Sequence, residues 1–342
     1  MSKASMAFQY SLKGGQKPQI LLLGNGLERY SNQKSWEELL RVITHSHSIA
    51  TSFIQQPPES ASKDDKESFA KRKVEFKKIP FPLQYVLLSS PSLGKIPRSK
   101  MERDNEKGKL KEAMSKLSCC SNKFLNQLPS LQADHILTTN YSYCIEESFK
   151  FNFSTDKERR KYLRYASPKM EKTYRLHTCY QGPNKNSTAI WHIHGEAAVA
   201  GSIVLGHDRY GRLTSEIVQE LRPDIDTTAP LVSLNSWPKL FLFGDIYVLG
   251  FSFDPAEFDL WWLLQRKQNE GKASGQVYFY EISPPEGFDL STDPRIILLR
   301  ALGVQLLDMG RSWADIREPG KVYEDFYQRA LDNIKERIAT SK

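Results

Sequence analysis

The chain has 342 residues, an apolar share of 39%, a formal net charge of +8 and a mean hydropathy of −0.52. It is long enough to bury a sizeable core in one large domain or two ordinary ones. It contains no apolar run of the ~18 residues that a membrane-spanning helix requires, which argues against membrane insertion. The opening stretch MSKASMAFQYSLKGGQKP lacks a continuous apolar segment, so it does not read as a secretory signal, and a cytoplasmic location is expected. Cys119, Cys120, Cys144 and Cys179 form no CxxC pair; free thiols are expected, with neither a disulfide framework nor a zinc module. The charge excess is local: residues 61 to 120 hold fifteen Lys or Arg against eight Asp or Glu. Such a stretch suits contact with nucleic acid or another anionic partner, and equally a solvated insertion without aromatic residues between Lys95 and Lys116.

Along the chain, Ile20-Leu21-Leu22-Leu23 stops at Gly24-Asn25-Gly26, the pattern of a buried strand meeting a tight loop. Ser35-Trp36-Glu37-Glu38 supplies an N-cap serine and a capping-box acid, followed by Leu39, Leu40, Val42 and Ile43 on one face. Residues 50 to 130 read as a basic helical insertion region, with a short buried helix from Phe81 to Leu88 and near-helical spacing at Leu110, Met114, Leu117, Phe124 and Leu128. His135 to Thr139 is the second buried strand, with Asn140 at its C-terminal end and a helix from Ser142 to Phe149. Residues 150 to 172, dense in charge and tyrosine, read as a polar surface insertion.

Ile190-Trp191-His192-Ile193 alternates towards His194-Gly195, and Ser202 to Gly206 opens an element leading to His207, Asp208 and Tyr210. Asp245 to Gly250 is a buried strand, and Asp254-Pro255-Ala256-Glu257 reads as a helix start: Asp254 caps free N–H groups, Pro255 lacks one, and Glu257 closes a capping box. Val277 to Tyr280 and Val304 to Leu307 are late strands with a helix from Ile296 to Leu302 between them. Val322, Phe326, Ala330, Ile334 and Ile338 form an amphipathic stripe on a C-terminal helix over 321–342, suited to packing on the sheet or to an oligomer contact. Strands and helices alternate without internal repeats. The expected fold is therefore α/β: one Rossmann-like, mainly parallel sheet with helices on both faces and helical insertions, as a single domain over 1–342.

Three groups of residues are suited to chemistry. Gly24-Asn25-Gly26 follows a strand, where a glycine loop lets the chain approach a phosphate, but it is neither GxGxxG nor a Walker loop, and a plain tight turn is the competing reading. His194 at a strand end titrates near neutrality, and Gly195 leaves room beside it; His192 shares its face if the strand is regular, and either histidine also serves as a satisfied polar group. Asn140 is no general base, yet its amide both donates and accepts, which suits it to orient a ribose hydroxyl or a water. No GxSxG elbow surrounds Gly250-Phe251-Ser252. His192, His194, His207 and Asp208 match no known metal-ligand spacing, so no metal is expected.

Taken as an ordered set, Gly24-Asn25-Gly26, Ser35-Trp36-Glu37-Glu38-Leu39-Leu40, Thr138-Thr139-Asn140-Tyr141, His194-Gly195 and Leu249-Gly250-Phe251-Ser252-Phe253 resemble the SIR2-like family over about residues 18 to 310. The likeness is greater to its bacterial NAD-hydrolase branch, found in anti-phage defence, than to the protein-deacylating sirtuins, whose paired zinc cysteines are missing here. The Gly-Asn-Gly start is also similar to the abortive-infection AbiH-like group. The resemblance implies NAD as substrate without zinc, Asn140 and His194 as the catalytic pair, and a nucleotide held by Gly24, Asn25, Gly26, Gly195, Asp208, Tyr210, Gly250 and Ser252. In the family an alanine separates the glycines, and a small residue and a serine follow them; here Asn25 and Leu27-Glu28 stand in those places.

Three functions follow as expectations: a regulated NAD hydrolase in antiviral defence, a nucleotide-binding or sensory module without turnover, and a nucleic-acid-associated effector subunit. A free NAD hydrolase would threaten its host, so a homo-oligomer or a regulatory protein subunit is expected as partner. His194→Ala and Asn140→Ala are expected to keep the fold and lose turnover, with a smaller defect in His192→Ala.

Overall fold

The computed structural model describes residues 8–15, 17–32, 57–89, 122–166, 174–184, 187–282, 292–310 and 319–342. The expected helix after Ser35, the spacing from Leu110 to Leu117 and the pair Cys119-Cys120 lie outside these residues. The strands are β1 (Phe8–Tyr10), β2 (Gln19–Leu23), β3 (His135–Thr138), β4 (Leu163–Tyr165), β5 (Thr178–Gln181), β6 (Ala189–His192), β7 (Val232–Leu234), β8 (Asp245–Leu249), β9 (Val277–Glu281) and β10 (Gln305–Asp308).

Eight of them form one sheet in the order β10-β9-β8-β2-β3-β6-β5-β4, parallel except where β5 meets β6 and β4 meets β5. β1 and β7 form a separate antiparallel pair. The six parallel strands have the doubly wound order in which the chain starts at β2, moves out through β3 to β6, then restarts on the other side at β8. The crevice beyond the C-terminal ends of β2 and β8 is therefore the topological switch point, where such sheets bind ligands.

β2 and β3 are buried along their whole length, because parallel strands covered on both sides need apolar residues on both faces. One core layer packs Leu22, Leu137 and Trp191 with the helices His207–Glu220, Trp237–Phe243, Phe258–Asn269 and Pro294–Ala301. The opposite layer packs Leu21, Ile136 and Ile190 with the 3-10 helix Leu125–Leu131, the helix Cys144–Ser148 and the C-terminal helix Pro319–Ser341. Helices thus cover both faces, and Phe326, Ala330, Ile334 and Ile338 of the C-terminal stripe are buried against the sheet.

Buried Lys267, on the helix Phe258–Asn269, donates to the carbonyls of Phe241, Leu242 and Gly244 at 3.0, 2.8 and 2.7 Å, satisfying the end of the preceding helix. At the N-terminal edge of the sheet, the Trp191 indole donates to His135 Nδ1 at 3.2 Å. An indole only donates, so His135 carries its proton on Nε2 and gives it to the Tyr10 hydroxyl oxygen at 2.7 Å.

Several expected elements differ. The helix expected from Asp254 begins at Phe258. Asp254 instead accepts from Ala256 N at 2.8 Å in a tight turn, and Glu257 caps nothing, because its carboxylate is turned towards Tyr210 and His194. The insertion 150–172 is not wholly superficial: after the helix Asp156–Tyr162 it adds β4 to the main sheet, and Arg159 is buried. The helix Phe81–Ser89 is only partly covered, with Leu83 41% and Leu87 39% exposed. Among the described residues, no helix is long and apolar enough to cross a membrane. The described cysteines, Cys144 and Cys179, are free thiols in the core.

Candidate active site

The turn after β2 is shaped by its neighbour after β8. Gly24 N donates to Leu249 O at 3.2 Å and Gly26 N to Gly250 O at 2.8 Å. A Cβ on Gly24 would stand 2.4 Å from Gly250 O and 2.7 Å from Phe251 Cα; one on Gly26 would meet Tyr327 Oη at 2.6 Å. These glycines are therefore required by close approach of the protein's own backbone. Gly250 has φ +65°, a conformation glycine adopts without strain. Asn25 and Ser252 are exposed beside this junction.

Asn140, at the end of β3, is held from three sides. Its Nδ2 donates to Gly24 O at 3.1 Å and to Glu28 Oε1 at 2.8 Å, while its backbone N donates to Thr138 Oγ1 at 3.1 Å. Both amide hydrogens are thereby used, and Oδ1 accepts from none of the described residues. Ser142 donates to the other oxygen of Glu28 at 2.6 Å. Burial pushes the Glu28 carboxyl above its usual range, against the Ser142 and Asn140 hydrogen bonds.

His192 and His194 point to different faces, because the chain leaves the strand in a turn at residues 193 and 194. His192 Nδ1 lies 2.8 Å from Asn140 O and Nε2 lies 2.7 Å from Glu146 Oε1. Both partners accept, so both nitrogens carry protons and the ring is an imidazolium. Burial alone pulls its pKa down, but Glu146, with Glu196 and Asn140 O, raises it to about 9.

His194 is only 2% exposed and belongs to a second network: Nε2 is 3.0 Å from Asp259 Oδ2, and Nδ1 is 3.6 Å from Glu257 Oε2. Burial lowers its pKa, yet Asp259 and Glu257 outweigh that and hold the imidazole above its usual value. Tyr210 donates to Glu257 at 3.1 Å, and its ring packs edge-on to His194. The sequence brings Asn140 and His194 to adjacent strand ends, but their side chains share no partner among the described residues. Its Nε2 is engaged by Asp259, while Nδ1 faces Glu257 beyond hydrogen-bond distance.

Ligand-type atoms of His194, Glu257 and Asp259 lie within 4.8 Å of one another, a donor set of the kind divalent cations use, and Asp259 Oδ1 has no hydrogen-bond partner among the described residues. The two ring nitrogens are already divided between the two carboxylates, which accounts for the arrangement as an ion-pair network.

Gly195 has φ +96°, and a Cβ there would stand 2.3 Å from Ser202 O, so it serves the packing of the following loop. Asp208 and Tyr210 lie on the helix His207–Glu220; Asp208 is exposed and Tyr210 buried. A small polar cavity lies on the His192 side, lined by Arg175, Tyr180, Gly195 and Glu196 among others. Glu196 there accepts from the Tyr143 and Tyr180 hydroxyls, with the Arg159 guanidinium 3.5 Å away. Glu146, Glu196, Glu257 and Asp259 were not singled out by the sequence as site residues; an acid after His194-Gly195 and the Glu257-Phe258-Asp259 spacing were the available signals.

Residues 134–307, just over half the chain, match the family model described as the SIR2-like domain. No curated protein matches the chain.

Proposed function

Because the chain belongs to the SIR2-like family, which includes NAD-utilising enzymes, we propose that it hydrolyses the bond between nicotinamide and ribose in NAD. The observation that supports this reading is the fixed amide of Asn140 at the switch-point end of the sheet, with both hydrogens spent on Gly24 and Glu28 and Oδ1 left to accept. In this reaction the bond from ribose C1′ to the ring nitrogen breaks with its electron pair moving to nicotinamide. The leaving group departs neutral and needs no acid. The protein's work is to orient the ribose, exclude misplaced water and put one water on C1′, which is positioning chemistry. Asn140 Oδ1 accepts from a ribose hydroxyl or from that water. His194 acts as a positioning residue, holding the turn whose carbonyl accepts from Val204 N at 2.7 Å. Gly24, Asn25, Gly26, Gly250 and Ser252 border the dinucleotide.

The setting proposed for this activity is cytoplasmic antiviral defence, as in the bacterial and abortive-infection groups that the sequence resembles, with turnover restrained by self-assembly or a second subunit. The direct test is chromatography of NAD incubated with the assembled protein. Nicotinamide and ADP-ribose are the expected products, and bound NAD that stays intact would overturn the reading.

That last outcome is what the second reading, a nucleotide-binding module without turnover, predicts. It is favoured by the close packing of Gly24 against Gly250 and Phe251. A nucleic-acid role has less support: the described part of the basic stretch, the helix Lys63–Lys77, mixes Asp64, Asp65, Glu67 and Glu75 among its lysines.

A further inference from the structure

Asn140 Oδ1 serves the reaction only while the whole residue is held in one orientation, and the bonds from its amide to Gly24 and Glu28 fix the side chain alone. The backbone of Asn140 is tied separately. Its N–H donates to Thr138 Oγ1 at 3.1 Å, and its carbonyl oxygen lies 2.8 Å from His192 Nδ1. A carbonyl only accepts, so Nδ1 carries a proton. On the other side of the ring, Nε2 is 2.7 Å from Oε1 of Glu146, a fully buried carboxylate. The imidazole therefore bridges the helix Cys144–Ser148 to the end of β3, and it does so with two N–H groups.

Resting on the hydrolase reading, we propose that His192 is a positioning residue of this centre: its doubly protonated ring, braced by Glu146, clamps the Asn140 carbonyl and so keeps Oδ1 in place for the ribose or the attacking water. Loss of one proton undoes the clamp in a defined way. A neutral imidazole has a single N–H for two acceptors, and the carboxylate of Glu146 is the stronger of them. The N–H stays on Glu146, the Nδ1 lone pair then faces Asn140 O, and that peptide turns away. Burial opposes the charge on the ring, but Glu146, then Glu196 and Asn140 O, outweigh it and bring its pKa to about 9. The other titratable groups around the ring are Tyr143 and Tyr180, packed edge-on to it, Arg175 in the adjoining cavity, and Glu28, whose pKa His192 lowers. Arg159, 3.5 Å from Glu196, offsets part of that carboxylate's charge.

The test follows nicotinamide release, and NAD affinity by calorimetry, across neutral to alkaline pH for wild type, Glu146→Gln and His192→Leu, with circular dichroism confirming the fold at each pH. In wild type, kcat falls as pH rises through about 9 while NAD affinity stays within about threefold. In Glu146→Gln the new amide donates to Nε2, so the neutral ring keeps its N–H on Asn140 O at every pH and the alkaline limb disappears. A merely structural role for the pair does not produce that change. His192→Leu, which cannot donate, loses about tenfold or more in kcat at neutral pH and also lacks the limb. Should either variant fail to fold, the wild-type profile and the other variant carry the test. A folded wild type without the limb, a limb that follows NAD affinity, a limb unchanged in Glu146→Gln, or a smaller loss in His192→Leu would overturn the proposal and leave the hydrolase reading standing. A wild type that binds NAD and releases no nicotinamide overturns both.

Discussion

His194 Nε2 lies 3.0 Å from Asp259 Oδ2, with neither residue more than 2% exposed. The pair is part of a three-residue group in which the imidazole separates two buried carboxylates, Asp259 and Glu257. The sequence alone suggests that His194→Ala keeps the fold. The structure sets a cost on that substitution: removing the imidazole leaves the buried acids Asp259 and Glu257 facing each other, a loss of about 3–5 kcal/mol. The melting temperature of His194→Ala should fall by roughly 5–10 °C. A thermal scan showing a shift under about 2 °C would mean that the network carries little of the fold's stability.

His192 makes an alkaline prediction. Its pKa is raised to about 9 by Glu146, Glu196 and Asn140 O against the opposing effect of burial. The folded state therefore holds its proton more tightly than the unfolded chain does. The resulting stability is complete below the unfolded value of ~6.5 and is lost as pH rises through 9. Urea midpoints should decline between pH 7 and 10. In the double variant His192→Gln, Glu146→Gln, which removes both charges, that decline should flatten by the equivalent of ~2–3 kcal/mol.

His135 makes the opposite one. Burial holds it neutral, with its pKa lowered to about 3, and its Nδ1 accepts from Trp191. Between the unfolded value of ~6.5 and the folded value, the unfolded chain binds the extra proton, so stability falls as pH drops through that window. Denaturant midpoints of wild type should fall relative to His135→Asn on moving from pH 7 to pH 4. Parallel profiles would show that protonating this ring costs the fold nothing.

The glycines at the strand ends are separable by space. Gly24→Ala places a methyl 2.4 Å from Gly250 O, where only backbone movement relieves the clash. It should cost about 2 kcal/mol or more. Gly201→Ala, where no atom lies within 4 Å of the added carbon, should stay within ~0.5 kcal/mol of wild type. Guanidinium unfolding of the two variants measures the contrast directly; equal midpoints would refute the account of Gly24 as a backbone contact.

The sheet was readable because its parallel strands are short apolar runs, as at Ile20–Leu23 and Asp245–Leu249, ending in Gly24 and Gly250. β4 was not, because Leu163–Tyr165 offers three half-buried residues inside a charged segment. Asn140 and His194 were found from their strand-end positions, but their partners were out of reach of local pattern. Glu28 is 112 residues from Asn140, and Asp259 is 65 from His194. The helix start at Asp254 shows the limit most clearly. The capping residues were all present, yet tertiary contacts drew Glu257 away from the helix end to Tyr210.

Lys267 joins two helices that sequence distance keeps apart. Its ammonium supplies three hydrogen bonds to the end of Trp237–Phe243, so the helix Phe258–Asn269 cannot lift from the sheet without stripping the carbonyls that lead into β8. These segments should open as one cooperative unit. In native-state hydrogen exchange, amides of both helices and of β8 share one opening free energy in the wild type, and Lys267→Met separates them into two groups.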